Sequence, residues 1–398
     1  MKNTQTLFVL VFFLVSQLIS CAGSPTRGPE GAVLSASHSK LQLLFGAQRK
    51  QAILPCGCSI VPLGGVGREF EALKRFRSRA DKSIYLVGGP AFVDSAVPKK
   101  DAEKNNTKVD LLVDMMNLLE VSYYFPSAEE FALDKKVLAG IVTKSKFPWI
   151  ATNLAPKLQN EKISRFAEAD IGGSKALLLG VSRNPTRWQK TSEVKVEDPI
   201  LALKATFAKA KPENYSMVIL VTNVEQDVRE QIQKEFPFIQ LVLGGRSGKK
   251  DAGLNVAQEG ALRLRAEPEG EGKTLAYIEF PEGVTKKPVQ FFSEATVKVW
   301  QGSEFQWKEQ LYNTEGNIAA AKSVADKKRL NAEKAKWEKF LAWVPEVTQK
   351  KEGATVYQGG IVGLDSTYEN DHTPLQPLVE RYKPLISSVS ASGAKQSH

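Results

Sequence analysis

Two cysteines one residue apart are the side chains with the clearest chemical capacity in this 398-residue chain. Cys56 and Cys58 flank Gly57, which permits a tight backbone. In an oxidising compartment such a pair can close a small strained disulfide, and strained disulfides are the easily reduced ones that suit thiol exchange. Two other interpretations stay open: the thiols begin a soft-metal site, or they are inert loop cysteines. The spacing makes Cys56 and Cys58 redox candidates.

Histidine is too scarce to build a metal centre in the body of the protein. The chain contains three histidines, His38, His372 and His398, and His398 is its last residue. Zinc and similar metals need several nitrogen and sulfur ligands at one place. The sequence also lacks a Walker A loop, a G-x-S-x-G elbow and a histidine that could serve a catalytic triad. We therefore predict no metal site and no cofactor.

The third cysteine, Cys21, follows a segment typical of export signals. Lys2 precedes an apolar run, residues 7–18, which is shorter than the roughly 20 residues of a membrane-spanning helix. Its ending, Leu18-Ile19-Ser20-Cys21, resembles the lipobox of bacterial lipoproteins. That resemblance implies cleavage before Cys21 and lipid on its sulfur. The alternatives are an ordinary secretory signal cut near Ser20 and an uncleaved anchor.

The lipobox resemblance predicts where the protein is found. Residues 1–20 would be the signal peptide, and residues 21–40, rich in Gly, Ser, Pro and Ala, a flexible stalk. We expect a lipid-anchored protein of the bacterial cell envelope. Ala22 follows the cysteine, with no Asp to indicate retention at the inner membrane, which favours the outer membrane facing the periplasm.

Composition is that of an ordinary globular protein, with 42% hydrophobic and 25% charged residues. The formal net charge of +10 favours anionic neighbours, or simply solubility. No module that combines basic and aromatic residues is present, so we predict no nucleic-acid partner.

From residue 41 to residue 303 apolar strands alternate with amphipathic helices, which predicts an α/β domain. Strands are predicted at 41–45, 84–87, 123–125, 149–151, 175–181, 217–221 and 239–243, and helices at 66–79, 109–119, 129–142, 199–209 and 225–236. Further strands near 261–266, 274–280 and 289–300 follow without intervening helices. The polar stretch 99–108 is expected to be a surface loop.

The C-terminal third changes in composition. Residues 304–350, rich in Ala, Lys and Glu, predict a basic helical extension interrupted near Gly316. Leu330, Trp337, Leu341 and Val344 are spaced for one helical face, which would dock on the body or, alternatively, bind a protein partner. A closing strand and helix are expected within 351–388, and a disordered tail at 389–398.

Several short strings resemble the 5'-nucleotidase family of calcineurin-like metallophosphoesterases, in particular its UshA-like (seleno)protein branch. The strings are Leu54-Pro55-Cys56-Gly57-Cys58, Pro62-Leu63-Gly64-Gly65-Val66-Gly67-Arg68, Met115-Met116-Asn117, Phe147-Pro148-Trp149-Ile150-Ala151-Thr152-Asn153-Leu154, the strand 241–245, Leu364-Asp365-Ser366-Thr367-Tyr368 and Val379-Glu380-Arg381-Tyr382-Lys383. The resemblance implies an α/β sandwich of mixed sheets flanked by helices, with the long helices as a C-terminal extension.

The resemblance also implies where two catalytic metal ions would lie, and this sequence departs from the pattern at each place. The substituted positions are Gln48 and Lys50 for Asp-x-His, Gly88-Gly89-Pro90 for Gly-Asp, Ala128-Glu129-Glu130 for Asn-His-Glu, Thr222-Asn223 for Ser-His, and Gly244-Gly245-Arg246-Ser247-Gly248 for Gly-His-x-His. The metal ligands are therefore expected to be lost.

The substituting residues suggest a site for an anion. Lys50, Asn223, Arg246 and Lys249 would gather at the mouth once occupied by metals, and cationic side chains can hold phosphate or carboxylate. Alternatively, these cations only neutralise Glu129 and Glu130. The leading hypothesis is a membrane-tethered, non-catalytic protein that binds a small anion, such as a nucleotide or phosphate, or acts in thiol redox. The alternative is an active nucleotide or phosphoester hydrolase with a non-standard site.

Overall fold

The computed structural model of this protein describes residues 38–56, 62–93, 102–158, 160–184, 193–246, 254–256, 264–266, 270–285, 290–368, 375–378 and 380–381. These residues belong to one compact unit, Ser37–His398. The predicted signal peptide, Cys21 and nearly all of the predicted stalk lie outside them. Among the helices of the described residues, none has the length and apolar character needed to cross a membrane.

The described residues form strands and α-helices that alternate along most of the chain. The strands are β1 Ser39–Ala47, β2 Ala80–Gly88, β3 Tyr123–Phe125, β4 Trp149–Ile150, β5 Leu154–Pro156, β6 Ile163–Ser164, β7 Phe166–Asp170, β8 Lys175–Val181, β9 Val194–Val196, β10 Met217–Glu225, β11 Leu241–Arg246, β12 Leu254–Val256, β13 Leu264–Ala266, β14 Thr274–Phe280, β15 Phe291–Phe292, β16 Thr355–Val356 and β17 Gln358–Gly363. The helices are α1 Val66–Arg77, α2 Ala102–Leu118, α3 Lys135–Lys144, α4 Pro199–Phe207, α5 Gln226–Glu235, α6 Glu294–Ala320 and α7 Val324–Thr348.

Two mixed sheets carry the fold. The first has the order β17-β14-β1-β2-β3-β4-β6, in which β1, β2, β3, β4 and β6 run parallel and β14 is antiparallel to both its neighbours, β1 and β17. The second has the order β12-β13-β11-β10-β8-β7, with a parallel centre of β13, β11, β10 and β8. The parallel strands are buried on both faces, which explains their nearly continuous runs of Leu, Ile and Val.

The main core lies between the two sheets. One cluster of buried side chains joins Leu43 and Leu86 of the first sheet to Leu178 and Ile219 of the second. Gly180 permits the close approach, because a Cβ there would collide with the backbone oxygen of Ile150 on the facing sheet. A second cluster buries the outer face of β8, β10 and β11 under α4 and α5. Each fully buried large side chain stabilises the fold by roughly 1.5–3 kcal/mol.

The C-terminal helices form a hairpin that docks on the sheets. Trp343 and Val347 of α7 belong to the core cluster, and Trp300 of α6 packs against it. The ring centroids of Trp300 and Trp343 lie 4.9 Å apart, and those of Trp307 and Phe340 5.2 Å. Of the predicted stripe, Leu330 and Val344 are buried, whereas Trp337 and Leu341 are only half-buried. The hairpin is thus held mainly by tryptophans at its base.

The structure of the hairpin differs from two sequence predictions, the strand 289–300 and the interruption near Gly316. The predicted strand 289–300 is wrong: only Phe291–Phe292 is extended, and the helix begins at Glu294, ten residues before the predicted extension. The β-branched residues there favour a strand, but Trp300 and Trp307, seven residues apart on one helical face, pack on Trp343 and Phe340 of α7. The helix runs through Gly316, where a Cβ would meet nothing within 4 Å, and ends at Ala320.

Three other boundaries differ from the predictions. Helix α2 begins at Ala102, inside the segment 99–108 predicted to be a loop. Strand β1 begins at Ser39, inside the predicted stalk 21–40. The predicted helix 129–142 is instead a 3-10 turn, Ala128–Ala132, followed by α3, whose N-cap Asp134 accepts hydrogen bonds from the next backbone amides. Strand β14 has the predicted bounds.

Candidate functional site

A cleft lies where the parallel strands of both sheets reach their carboxyl ends, the usual position of ligands in α/β folds. Its walls are the last residues of β1, β2, β3, β8, β10 and β11 and the loops that follow. The lining residues are Phe45, Ala47, Gln48, Gly88, Gly89, Phe125, Pro126, Ser127, Val181, Val221, Thr222, Asn223 and Gly244. The cleft measures about 300 Å³ including its open side, and it admits one small group at its base.

The turn after β1 determines which side chains reach this cleft. Gln48, Lys50 and Gln51 have positive φ angles of 44°, 48° and 60°. Backbone hydrogen bonds tie the turn to the loop after β2: Gln48 N donates to Gly88 O at 2.8 Å and Lys50 N to Pro90 O at 3.0 Å. The turn places Gln48 in the lining of the cleft. Lys50 does not line it, and its Nζ lies 3.8 Å from a carboxylate oxygen of Glu271.

Arg49 anchors the same turn from the opposite side. Its Nη2 donates to both carboxylate oxygens of Glu69 at 2.5 Å, and the Tyr85 hydroxyl donates to the same carboxylate. All three side chains are buried. Burial alone would lower the pKa of Arg49, but the charge and hydrogen bonds of Glu69 raise it above its ordinary value. The guanidinium therefore stays charged and fixes the turn to α1.

Glu130 holds the loop after β2 in a similar way. Its buried carboxylate accepts from Ala91 N at 2.5 Å, from Phe92 N at 3.3 Å and from the Tyr124 hydroxyl. Burial raises the pKa of Glu130 to about 7, although these hydrogen bonds oppose the rise. Glu130 thus supports the wall of the cleft without lining it.

Glu129, the neighbouring carboxylate, is neutralised by a residue that sequence reasoning missed. Arg183, in the loop after β8, places Nη2 2.6 Å from Glu129 Oε1, and Glu129 is only 1% exposed. The backbone N–H of Arg183 also donates to Asn223 Oδ1 at 2.9 Å. The only available signal was a basic residue just after a buried strand. The sequence suggests Lys50 and Arg246 as cations that neutralise Glu129, but in the structure Arg183 does so.

Amides and hydroxyls supply the polar groups of the cleft. Asn223 lines the cleft, and its Oδ1 accepts from the Arg183 backbone, which assigns Nδ2 as the donor end of the amide. Ser127 Oγ is buried and has no hydrogen-bond partner among the described residues. Thr222 Oγ1 accepts from Val224 N at 3.2 Å, which leaves its hydroxyl hydrogen to donate. Within the described lining there is no carboxylate, so the arrangement can bind the oxygen atoms of a small ligand or water.

The structure brings together only part of the predicted anion site. Asn223 is in the cleft, and Lys50 faces Glu271. Arg246 ends β11, paired in register with Glu225, and its side chain lies outside the described residues, as does all of Lys249.

Of the thiol pair, Cys56 is described and does not line the cleft. Its Sγ accepts from Leu63 N at 3.1 Å, and its own N–H donates to Leu63 O at 2.8 Å. These bonds hold Cys56 in the loop that leads to α1. Cys58 lies outside the described residues.

The donor set does not fit the two metal ions that the resemblance implies. Gln48 and Asn223 present neutral amides, and Pro90 and Ala128 offer no side-chain ligand. Among the residues that the structure describes, no three His, Cys, Asp or Glu side chains form a group that could hold a metal ion. The described lining residues therefore do not support a metal-dependent reaction at this site.

Solved structures of similar shape identify the fold. The NAD nucleotidase NadN of Haemophilus influenzae matches with a TM-score of 0.50 and 15% identity, over 63% of this chain and 49% of that chain. The sulfate thiohydrolase SoxB of Thermus thermophilus, in complex with glycerol, also gives a TM-score of 0.50, at 13% identity over 62% of this chain and 54% of its own. A 5'-nucleotidase precursor from Thermus thermophilus gives 0.47 at 16% identity, over 61% and 52% of the two chains.

The two matches with a TM-score of 0.50 confirm the predicted fold, an α/β sandwich of the calcineurin-like phosphoesterase type, and the predicted C-terminal helices are present. The chain spans about half the length of the solved chains that it matches. Its sequence matches no family model and no curated protein.

Proposed function

We propose that this protein is a non-catalytic binding protein of the phosphoesterase fold, which holds a small anion at the strand-end cleft. One observation carries the proposal: Gln48 and Asn223, residues with neutral amide side chains at two positions where the resemblance implies metal ligands, line the cleft. Amides bind metals less well than carboxylate or imidazole, but their N–H groups are good donors to an anion. The function of the fold would then be recognition without turnover.

The electrostatics of the cleft support an anionic ligand over a cation. Its described lining contains residues with hydroxyl and amide donors and no carboxylate. Glu129, on the 3-10 turn that follows β3, is paired with Arg183, so this buried carboxylate is neutralised and does not oppose an anion. The names of NadN and SoxB denote enzymes that act on NAD and sulfate compounds, which supports the same ligand class. Phosphate, free or as the terminal group of a nucleotide, is the ligand that we propose.

Thermal unfolding with increasing inorganic phosphate tests this proposal. We expect phosphate to raise the melting temperature of the wild-type protein and to lose this effect in Asn223→Asp. The aspartate keeps the oxygen that accepts from Arg183 N but replaces the donating NH₂ with a negative oxygen. Asn214→Asp, an exposed position in another loop, is the matched control. Equal stabilisation of wild type and Asn223→Asp would contradict phosphate binding in the cleft.

Turnover assays separate the binding protein from the alternative, a working hydrolase. Purified protein is supplied with divalent metals and nucleoside monophosphates, and released phosphate is measured. We expect no turnover above the protein-free control. Phosphate release that a chelator abolishes would show that the protein is a metal-dependent phosphoesterase.

We further propose that the protein is attached to the bacterial envelope through lipid on Cys21. The apolar run before Leu18-Ile19-Ser20-Cys21 supports this, because it is typical of an export signal that ends at a lipidated cysteine. More than one acyl chain on that cysteine would make the attachment effectively permanent. Metabolic labelling with palmitate tests it: the label is expected on the wild type and absent from Cys21→Ser, which should appear in the soluble fraction. A labelled Cys21→Ser protein would exclude this attachment site.

A second candidate function is thiol exchange at Cys56 and Cys58. It is favoured by the hydrogen bond from Leu63 N to Cys56 Sγ, since N–H donors stabilise a thiolate. Thiol titration before and after mild reduction is the test. Two reactive thiols in aerobically purified protein would argue against a disulfide, whereas two that appear only after reduction would support one.

A further inference from the structure

A second concave surface lies at the opposite end of the second sheet. The cleft is at the carboxyl ends of β10 and β11, whereas this groove is at their amino ends, beneath the C-terminal ends of α4 and α5. Its lining residues are Lys204, Phe207, Pro212, Glu213, Tyr215, Val218, Glu235, Phe236, Phe238 and Gln240. Its volume is about 640 Å³, within the range of small-molecule sites. We call it the aromatic groove.

Three phenylalanines form the apolar wall of the aromatic groove. Phe207 and Phe236 have ring centroids 5.1 Å apart, and Phe238 packs against Phe207 at 4.9 Å with an interplanar angle of 80°. Phe236 is buried, but Phe238 remains 38% exposed. Tyr215 extends the aromatic lining, fixed by its hydroxyl, which donates to Glu168 at 2.7 Å. Edge-to-face packing leaves ring surface open to a flat aromatic guest.

The polar groups of the groove define the guest further. Lys204 and Glu235 at its rim form an ion pair of 2.7 Å, so their charges cancel, and the remaining charge of the lining, the exposed Glu213, disfavours an anion; a neutral guest fits best. Gln240 Oε1 accepts from Val218 N at 2.7 Å. This fixes the amide orientation and leaves its NH₂ with no hydrogen bond among the described residues. A ligand acceptor such as a carbonyl oxygen matches that donor.

We propose that the aromatic groove binds a neutral, planar aromatic molecule that carries one hydrogen-bond acceptor. The rings of Phe207, Phe236 and Phe238 contact its flat surface, and the Gln240 NH₂ donates to its acceptor. This site is independent of the strand-end cleft and of the function proposed for it.

Two neutral fluorescent naphthalenes test the two halves of this proposal in the full-length protein. Prodan carries a carbonyl acceptor, and N-phenyl-1-naphthylamine does not; both brighten in apolar surroundings. We expect saturable binding of both, with one site per chain. Phe238→Ser should weaken both by about tenfold because it removes an aromatic wall. Leu201→Ser, which removes an apolar side chain that is 66% exposed and does not line the groove, should change neither.

Gln240→Glu isolates the hydrogen bond. The glutamate keeps an oxygen to accept from Val218 N but loses the donating NH₂. Prodan should bind more weakly than to wild type, while N-phenyl-1-naphthylamine should bind equally well. If both dyes bind Phe238→Ser as tightly as wild type, or if neither binds saturably, the groove is not an aromatic site. If Gln240→Glu affects both dyes alike, or neither, the role of Gln240 is wrong. Circular dichroism and melting temperature confirm that each variant is folded.

Discussion

Arg183 and Glu129 form an ion pair of 2.6 Å between the loops that follow β8 and β3, one from each sheet. The guanidinium neutralises a carboxylate that is only 1% exposed. The pair therefore joins the two sheets at the rim of the cleft. Removal of this ion pair should lower the free energy of unfolding.

Arg183→Gln should lower the free energy of unfolding by about 3 kcal/mol, because it leaves the buried Glu129 carboxylate unpaired. Glu129→Gln added to this variant should recover most of the loss, since two neutral amides need no charge partner. Urea unfolding of the two single variants and the double variant measures the coupling. Lys175→Gln, which breaks the exposed pair with Glu168, is the control and should cost less than about 1 kcal/mol. A double variant as unstable as the sum of the single ones would refute the pairing.

Glu130 predicts a pH dependence of stability. Its pKa is about 7 in the folded protein and 4.5 in the reference state, so the folded state holds this proton more tightly. The contribution is present in full below pH 4.5 and is lost as the pH rises through 7. A shift of this size corresponds to about 3 kcal/mol. Glu130→Gln keeps the hydrogen-bond acceptor but cannot titrate.

Unfolding free energy measured from pH 4.5 to 8 for wild type and Glu130→Gln gives the test. The wild-type curve should fall relative to the variant's over this interval, and the difference should level off above pH 7. Parallel curves would mean that Glu130 titrates alike in the folded and unfolded states. Other ionisable groups affect both proteins equally and cancel in the difference.

Trp343 should be the residue on which docking of the helical hairpin depends. It is 7% exposed, belongs to the core between the sheets and contacts Trp300 edge to face. Trp343→Ala should cost about 3–5 kcal/mol, as other deletions of large core side chains do. Tyr312→Ala, at a site 77% exposed on the same hairpin, should stay within about 0.5 kcal/mol. Equal losses in chemical denaturation would show that the hairpin does not dock through its base.

Sequence patterns predicted the sheets well because their strands are buried on both sides. The apolar run of β10 and the pattern of β14, bounded by turn residues, are each compatible with few structures other than a strand. Strand β14 was predicted with its observed bounds. The segment 289–300 failed for the opposite reason. Its valines favour a strand locally, but packing of Trp300 against Trp343 outweighs that preference. A contact between residues so far apart along the chain leaves no pattern in the local sequence from which it could be predicted.

The candidate site shows the same limit. Of the predicted anion-binding residues Asn223 lines the cleft, because the resemblance fixed its place at a strand end, whereas Gln48 had been noted only as a substituted metal ligand. Arg183 was missed because its partner Glu129 is 54 residues away along the chain, and nothing in the spacing joins them. Lys50 was expected in the cleft, but its turn directs the side chain to Glu271. Side-chain direction after a strand depends on backbone angles that the sequence does not specify.

Two glycine-to-alanine substitutions should have opposite effects, because space rather than composition decides their outcome. Gly180 lies on β8 where the two sheets approach, and an added methyl group would collide with the Ile150 oxygen and reach the Phe125 ring. Because backbone cannot move aside cheaply in a packed core, Gly180→Ala should destabilise the protein by at least about 2 kcal/mol. Gly140 lies on the exposed side of α3 with nothing within 4 Å of an added Cβ. Gly140→Ala should therefore stabilise the protein by about 0.5–1 kcal/mol through helix propensity. The midpoints of urea unfolding measure both changes, provided that the slope of free energy against urea is the same for each protein. If Gly180→Ala had the stability of wild type, the sheets would not be packed as closely as the contact between Gly180 and Ile150 requires.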